Sequence, residues 1–102
     1  MIRLIVTADD ELYNRLSNKA RVPGHAHRRA RNVLDAYRMA TTGSVDAIVV
    51  DLALHAADTL LETLHSRPST SHIRLYVVEC GGERLPFELR RLCTDVLESD
   101  AL

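Results

Sequence analysis

The chain has 102 residues, with 13 basic and 14 acidic side chains, a formal net charge of −1, and 46% hydrophobic residues of which few are aromatic. That balance gives no global attraction to nucleic acid or to an anionic membrane, and no apolar run approaches the ~20 residues of a membrane span. One domain over residues 1–102 is expected, with a core of Leu, Val, Ile and Ala.

Ile2 to Thr7 is a short apolar run with β-branched residues, followed by Ala8-Asp9-Asp10-Glu11. It reads as a buried strand meeting a helix N-terminus, where acids favour the dipole. It is too short, and too soon acidic, for a signal peptide. From Asp10 to Arg21, Leu12, Leu16 and Ala20 form one helical stripe, which Pro23-Gly24 ends. His25 to Arg31 is too polar for a central strand and suits an edge, where charge discourages further pairing. Val33, Leu34, Tyr37 and Ala40 mark a second helix, with Asn32 as N-cap and Gly43 as its end.

Val45 to Val50 reads as a strand buried on both faces, as parallel sheets require, and it stops on Asp51. Asp58 to Ser66 is a third helix, with Leu60, Leu61 and Leu64 on one side. Ile73 to Val78 is a further buried strand, broken by Gly81-Gly82. Glu88 to Leu97 reads as a last helix, from the offsets of Leu89, Leu92, Cys93 and Val96. Alternating strands and helices imply an α/β fold with a parallel sheet. Cys80 and Cys93 make no disulfide framework, so a cytoplasmic setting with reduced thiols is expected.

Ligands of open parallel sheets bind beyond the carboxyl ends of the strands. Asp9, Asp10 and Asp51 all follow strands. If the first and third strands are neighbours, the three acids converge, and Mg2+ would relieve their repulsion. A carboxylate beside such an ion can accept a phosphoryl group. Acids after strands are also common capping residues, and spacing alone does not separate these readings.

In order along the chain, "LIVTADDEL", "VDAIVVDLALHAAD", "SRPSTSHIRLYVVEC" and "LPFEL" resemble segments of the receiver domain of two-component response regulators. The resemblance implies a flavodoxin-like, CheY-like sheet, with Asp51 as phosphoacceptor and Mg2+ at Asp9, Asp10 and Asp51. Ala8-Asp9 competes with Asp9-Asp10 as the acidic pair. It also exposes departures. Glu79 stands where the family has a hydroxyl residue, and Leu85 where it has a lysine. Only five residues separate Glu79 from Leu85, at most ~18 Å of chain. This predicts a strand order 2-1-3-4, with the fourth helix and most or all of the fifth strand missing.

The chain therefore reads as a degenerate or pseudo-receiver in a phosphorelay pathway. It would act by contact with a histidine kinase or a downstream signalling protein. It would not be an enzyme itself and would need no cofactor. The rival reading is a phosphorylatable receiver using Mg2+. With no fifth strand, residues 73–80 would form an open apolar edge. A homodimer is then expected through Ile73, Leu75, Tyr76, Val77, Val78, Gly81 and Gly82, with exchange of the last helix as one route. A small α/β ligand-binding protein is a further alternative. So is a nucleic-acid adaptor using Arg28 to Arg31, although no interleaved aromatics support it. His25 and His27 lack further ligands to complete a metal site.

Overall fold

The computed structural model describes residues 2–19, 26–79 and 84–98. Its elements are β1 (Ile2–Val6), α1 (Asp10–Lys19), β2 (Ala26–Ala30), α2 (Val33–Thr42), β3 (Val45–Asp51), α3 (Ala57–Ser66), β4 (Arg74–Glu79), α4 (Phe87–Arg90) and β5 (Asp95–Glu98). The strands form one parallel sheet in the order β2-β1-β3-β4-β5. The receiver-like architecture expected from the sequence is present. Among the described residues no helix is long and apolar enough to cross a membrane.

Successive strand residues point to opposite faces, so a sheet covered on both sides needs nearly continuous apolar strands. The core divides accordingly. Leu4, Val6, Ile48, Val50, Leu75 and Val77 pack with Ala36 and Ala40 of α2 and Leu60, Leu61 and Leu64 of α3. Ile5, Val49 and Val78 pack on the other face with Leu12 and Leu16 of α1. Each fully buried aliphatic side chain contributes roughly 1.5–3 kcal/mol relative to exposure.

The helix boundaries have local causes. The Asn32 side-chain oxygen accepts a hydrogen bond from the Asp35 N–H at 2.9 Å, capping α2. At the far end of the sheet, Asp46 accepts from the Ile2 N–H at 2.8 Å, where the β1–β3 register shifts by one residue. α3 begins from Ala56, a residue with φ of 62°, in the left-handed region.

The C-terminal part corrects two expectations. The predicted helix over Glu88 to Leu97 is instead a single turn, Phe87–Arg90, followed by β5. The fifth strand is therefore present, and the fourth helix is reduced to one turn and not lost. Val96 packs in the core of one sheet face and Leu97 in that of the other, which is strand and not helix behaviour. Pairing with β4, and the Thr94 N–H to the Leu75 carbonyl, give this segment its backbone partners.

The homodimer surface proposed from the sequence loses its premise for the same reason. β4 lies between β3 and β5 and is not an edge. Ile73, Leu75, Val77 and Val78 are buried, and Tyr76 is half-buried against Val78 and its neighbours. Gly81 and Gly82 lie outside the described residues, as do Cys80, His25 and Pro23-Gly24. The last helix that was to be exchanged is absent from residues 91–98. β2, as expected, is an edge strand.

Ala56→Gly should raise stability by about 0.5–1 kcal/mol, because glycine takes the left-handed conformation without the steric cost that alanine bears. Thermal unfolding monitored by circular dichroism should show a higher midpoint. A fall would mean that the Ala56 methyl group packs more usefully than its backbone is strained.

Candidate functional site

The parallel register aligns Val6 of β1 with Val50 of β3, and Asp51 of β3 with Val78 of β4. One residue further along, Thr7 comes abreast of Asp51. Both side chains are buried, at 0% and 5% exposure. The Thr7 hydroxyl donates to Asp51 Oδ2 at 2.8 Å, and the Ala53 N–H donates to Oδ1 at 3.0 Å. Thr7 Oγ1 in turn accepts from the Asp9 N–H at 3.0 Å. A buried carboxylate needs such donors, since each one left unmade costs about 1–3 kcal/mol or more.

Asp9 and Asp10 follow β1 but are engaged elsewhere. Asp9 Oδ1 accepts from the N–H groups of Glu11 and Leu12, at 2.9 and 3.3 Å, and so caps α1. Asp10 Oδ1 lies 2.7 Å from Arg29 Nη1 and 3.3 Å from Arg31 Nη1. The hydrogen bond and charge of Arg29, followed by the charge of Arg31, hold the Asp10 carboxyl below the usual carboxylate range. Arg29 is itself fixed. Its Nε and Nη2 donate to the Thr7 carbonyl, and its guanidinium stacks 4.7 Å from the Tyr13 ring centroid.

The three acids therefore share one rim of the sheet without forming a joint ligand set. Among the described residues no group of three or more His, Cys, Asp or Glu side chains is arranged to hold a metal ion. Asp9, Asp10 and Asp51 are not brought together as the ligand set that the resemblance implied. The Thr7 hydroxyl stands beside Asp51, and Asp10 is paired with two guanidinium groups.

Glu79 ends β4 and is 6% exposed. Its Oε2 accepts from the Leu85 N–H at 2.7 Å. It thus ties down the connection into α4. Leu85 is buried in the core with Leu89. It precedes β5, so "LPFEL" belongs to the β4–β5 crossover and not to the segment after a fifth strand. The expectation that Leu85 replaces the family's lysine is corrected on that ground. Cys93 is half-buried, and burial pushes its thiol up, which makes it less reactive.

Thr7, Arg29 and Tyr13 were not singled out from the sequence. Thr7 was legible only through the strand register. Arg29 lay inside a basic run that gave no hint of which arginine turns inward.

No protein-family model and no curated protein matches the sequence. Solved structures do match. A CheY-like receiver domain from Methylobacillus flagellatus is 21% identical, with a TM-score of 0.82 over 96% of this chain and 85% of that one. Response regulator TrrA from Thermotoga maritima, in complex with Mg2+-BeF, is 10% identical, with a TM-score of 0.81 over 95% and 84%. The fold is that of a receiver domain. A chain from the complex of histidine kinase ThkA with TrrA is similar at a TM-score of 0.78 and 10% identity, over 95% of this receiver-fold chain and 84% of its own length.

Thr7→Val keeps the shape but removes the donor to buried Asp51, and should cost about 1–3 kcal/mol at neutral pH. A shifted urea midpoint would register it; an unchanged midpoint would mean that water replaces the hydroxyl. Asp10 offers a second check. Its folded carboxyl titrates below the unfolded one, so its contribution is present above the unfolded value and is lost as pH falls through the folded value. In Arg29→Gln, the Asp10 titration followed by NMR should move up toward the ordinary carboxylate range.

Proposed function

We propose that this chain is a pseudo-receiver, a signalling module of a two-component-type pathway that works by protein–protein contact and not by Mg2+-dependent phosphorylation of Asp51. The observation that carries this reading is the Thr7 hydroxyl on Asp51, with Asp10 diverted to Arg29 and Arg31. Phosphoryl transfer to a carboxylate adds negative charge at a site that is already anionic. A bound divalent cation is the usual means of neutralising it. The acids here are committed to a hydroxyl, a helix cap and two arginines, so that means is lacking.

Its partners under this reading are a histidine kinase or a downstream signalling protein, in the cytoplasm. The pairing of TrrA with a histidine kinase in a structure of the same fold supports a protein partner of that kind. A phosphorylatable receiver is the second reading. It is favoured by the burial of Asp51 at the tip of β3, the position from which a strand delivers a side chain to the ligand rim.

Beryllofluoride with millimolar Mg2+ separates the two. Under the pseudo-receiver reading, the amide signals of Thr7, Leu52 and Ala53 stay in place. New signals for those residues, dependent on both Mg2+ and beryllofluoride, would establish Asp51 as an acceptor and overturn the proposal.

A further inference from the structure

Away from Asp51, β2 presents an outer edge. β2 pairs with β1 alone, and among the described residues no strand pairs on its other side. The Thr7 N–H donates to the Ala30 carbonyl, so the backbone of Ala30 faces β1. The peptide groups of alternate residues then face out, which leaves those of Arg29 free to pair.

Beside this edge runs a cleft of about 400 Å3, lined by Arg29, Ala30, Arg31, Asp35, Arg38 and Met39. Three arginines and one carboxylate, that of Asp35, belong to the lining, and Asp10 lies against two of those arginines. Arg29 is held by Asp10, the Thr7 carbonyl and Tyr13, with its charge paired to Asp10. Arg31 is 63% exposed and uses one nitrogen on Asp10, so its other donors are open. Arg38 is exposed and makes no ion pair among the described residues. Ala30 is buried and Met39 half-buried, which gives the cleft an apolar floor.

We infer that the β2 edge and α2 form a docking groove for an extended acidic segment of a partner protein, which adds to the sheet outside β2. Three observations converge on that occupant. The open strand edge supplies backbone hydrogen bonds. The arginines match acids at alternate positions of an added strand, and the floor accepts the apolar residues between them. A second copy of β2 is disfavoured, because it would set Arg28 and Arg29 against their own counterparts. A compact anion is a poorer fit, since the donors are spread along the strand and one turn of α2. The inference goes beyond the pseudo-receiver reading and stands whether or not Asp51 accepts phosphate.

The test uses the whole chain and a fluorescein-labelled peptide alternating glutamate with valine. Its control carries lysine in place of glutamate. The acidic peptide should bind, with anisotropy that falls as salt rises and with amide shifts along β2 and the first turns of α2. The lysine peptide should not bind. Arg31→Glu with Arg38→Glu should weaken binding about tenfold. Both side chains are exposed, so the fold should survive, and unchanged amide signals in β3 and β4 would verify it. Absence of acidic-peptide binding, or equal affinity in the double variant, would overturn the inference. So would inorganic pyrophosphate shifting the cleft signals while the peptide leaves the β2 amides untouched, which would make the cleft a small-anion pocket.

Discussion

The register of β1 against β3 is the constraint on which the site depends. With Val6 opposite Val50, the next residues along, Thr7 and Asp51, must meet at the rim. Both strands are buried on both faces, so neither can slip by one residue without turning its aliphatic side chains against the pleat. The hydroxyl–carboxylate contact is thus a consequence of core packing. It gives the buried Asp51 carboxylate a donor from β1, while the Ala53 N–H supplies a second.

Arg29 extends that arrangement sideways. It joins β2 to the end of β1 through the Thr7 carbonyl, and to α1 through Asp10 and Tyr13. A guanidinium presents several donors in one plane and stacks on rings, which a lysine in this place would do less well. Thr7 is therefore held twice, by its side chain on Asp51 and by its backbone on Arg29. The exposed Asp10 contacts are screened by water and add little stability on their own. They tie the start of α1 to β2 and the residue after it.

The opposite side of the sheet shows how little chain a crossover needs. In the described part of the β4–β5 connection, residues 84–94, one helical turn, Phe87–Arg90, precedes β5, and Leu85 and Leu89 pack in the core. Glu79 anchors the start of that passage through the Leu85 N–H. The buried carboxylate thereby gives the Leu85 amide its partner.

The strands and helices up to residue 79 were legible in the amino-acid order, because a doubly covered parallel sheet writes itself as unbroken apolar runs such as "AIVV" between amphipathic stripes. The placement of Asp9, Asp10 and Asp51 at one rim followed from the same alternation. Residues 88–97 misled, since Leu89, Leu92, Cys93 and Val96 satisfy a helical period while Val96 and Leu97 equally suit the two faces of a strand. A short segment carries both patterns, and only the open edge of β4, with its unmet hydrogen bonds, decides between them. What each acid does was decided the same way. Local order brings a carboxylate to the rim, but its partners, Thr7 for Asp51, Arg29 and Arg31 for Asp10 and the Leu85 N–H for Glu79, come from other strands, helices and loops. Local sequence determined the alternation of elements and the placing of acids just after strands. Tertiary structure alone decided the partner of each acid, because those partners come from residues far apart in the chain.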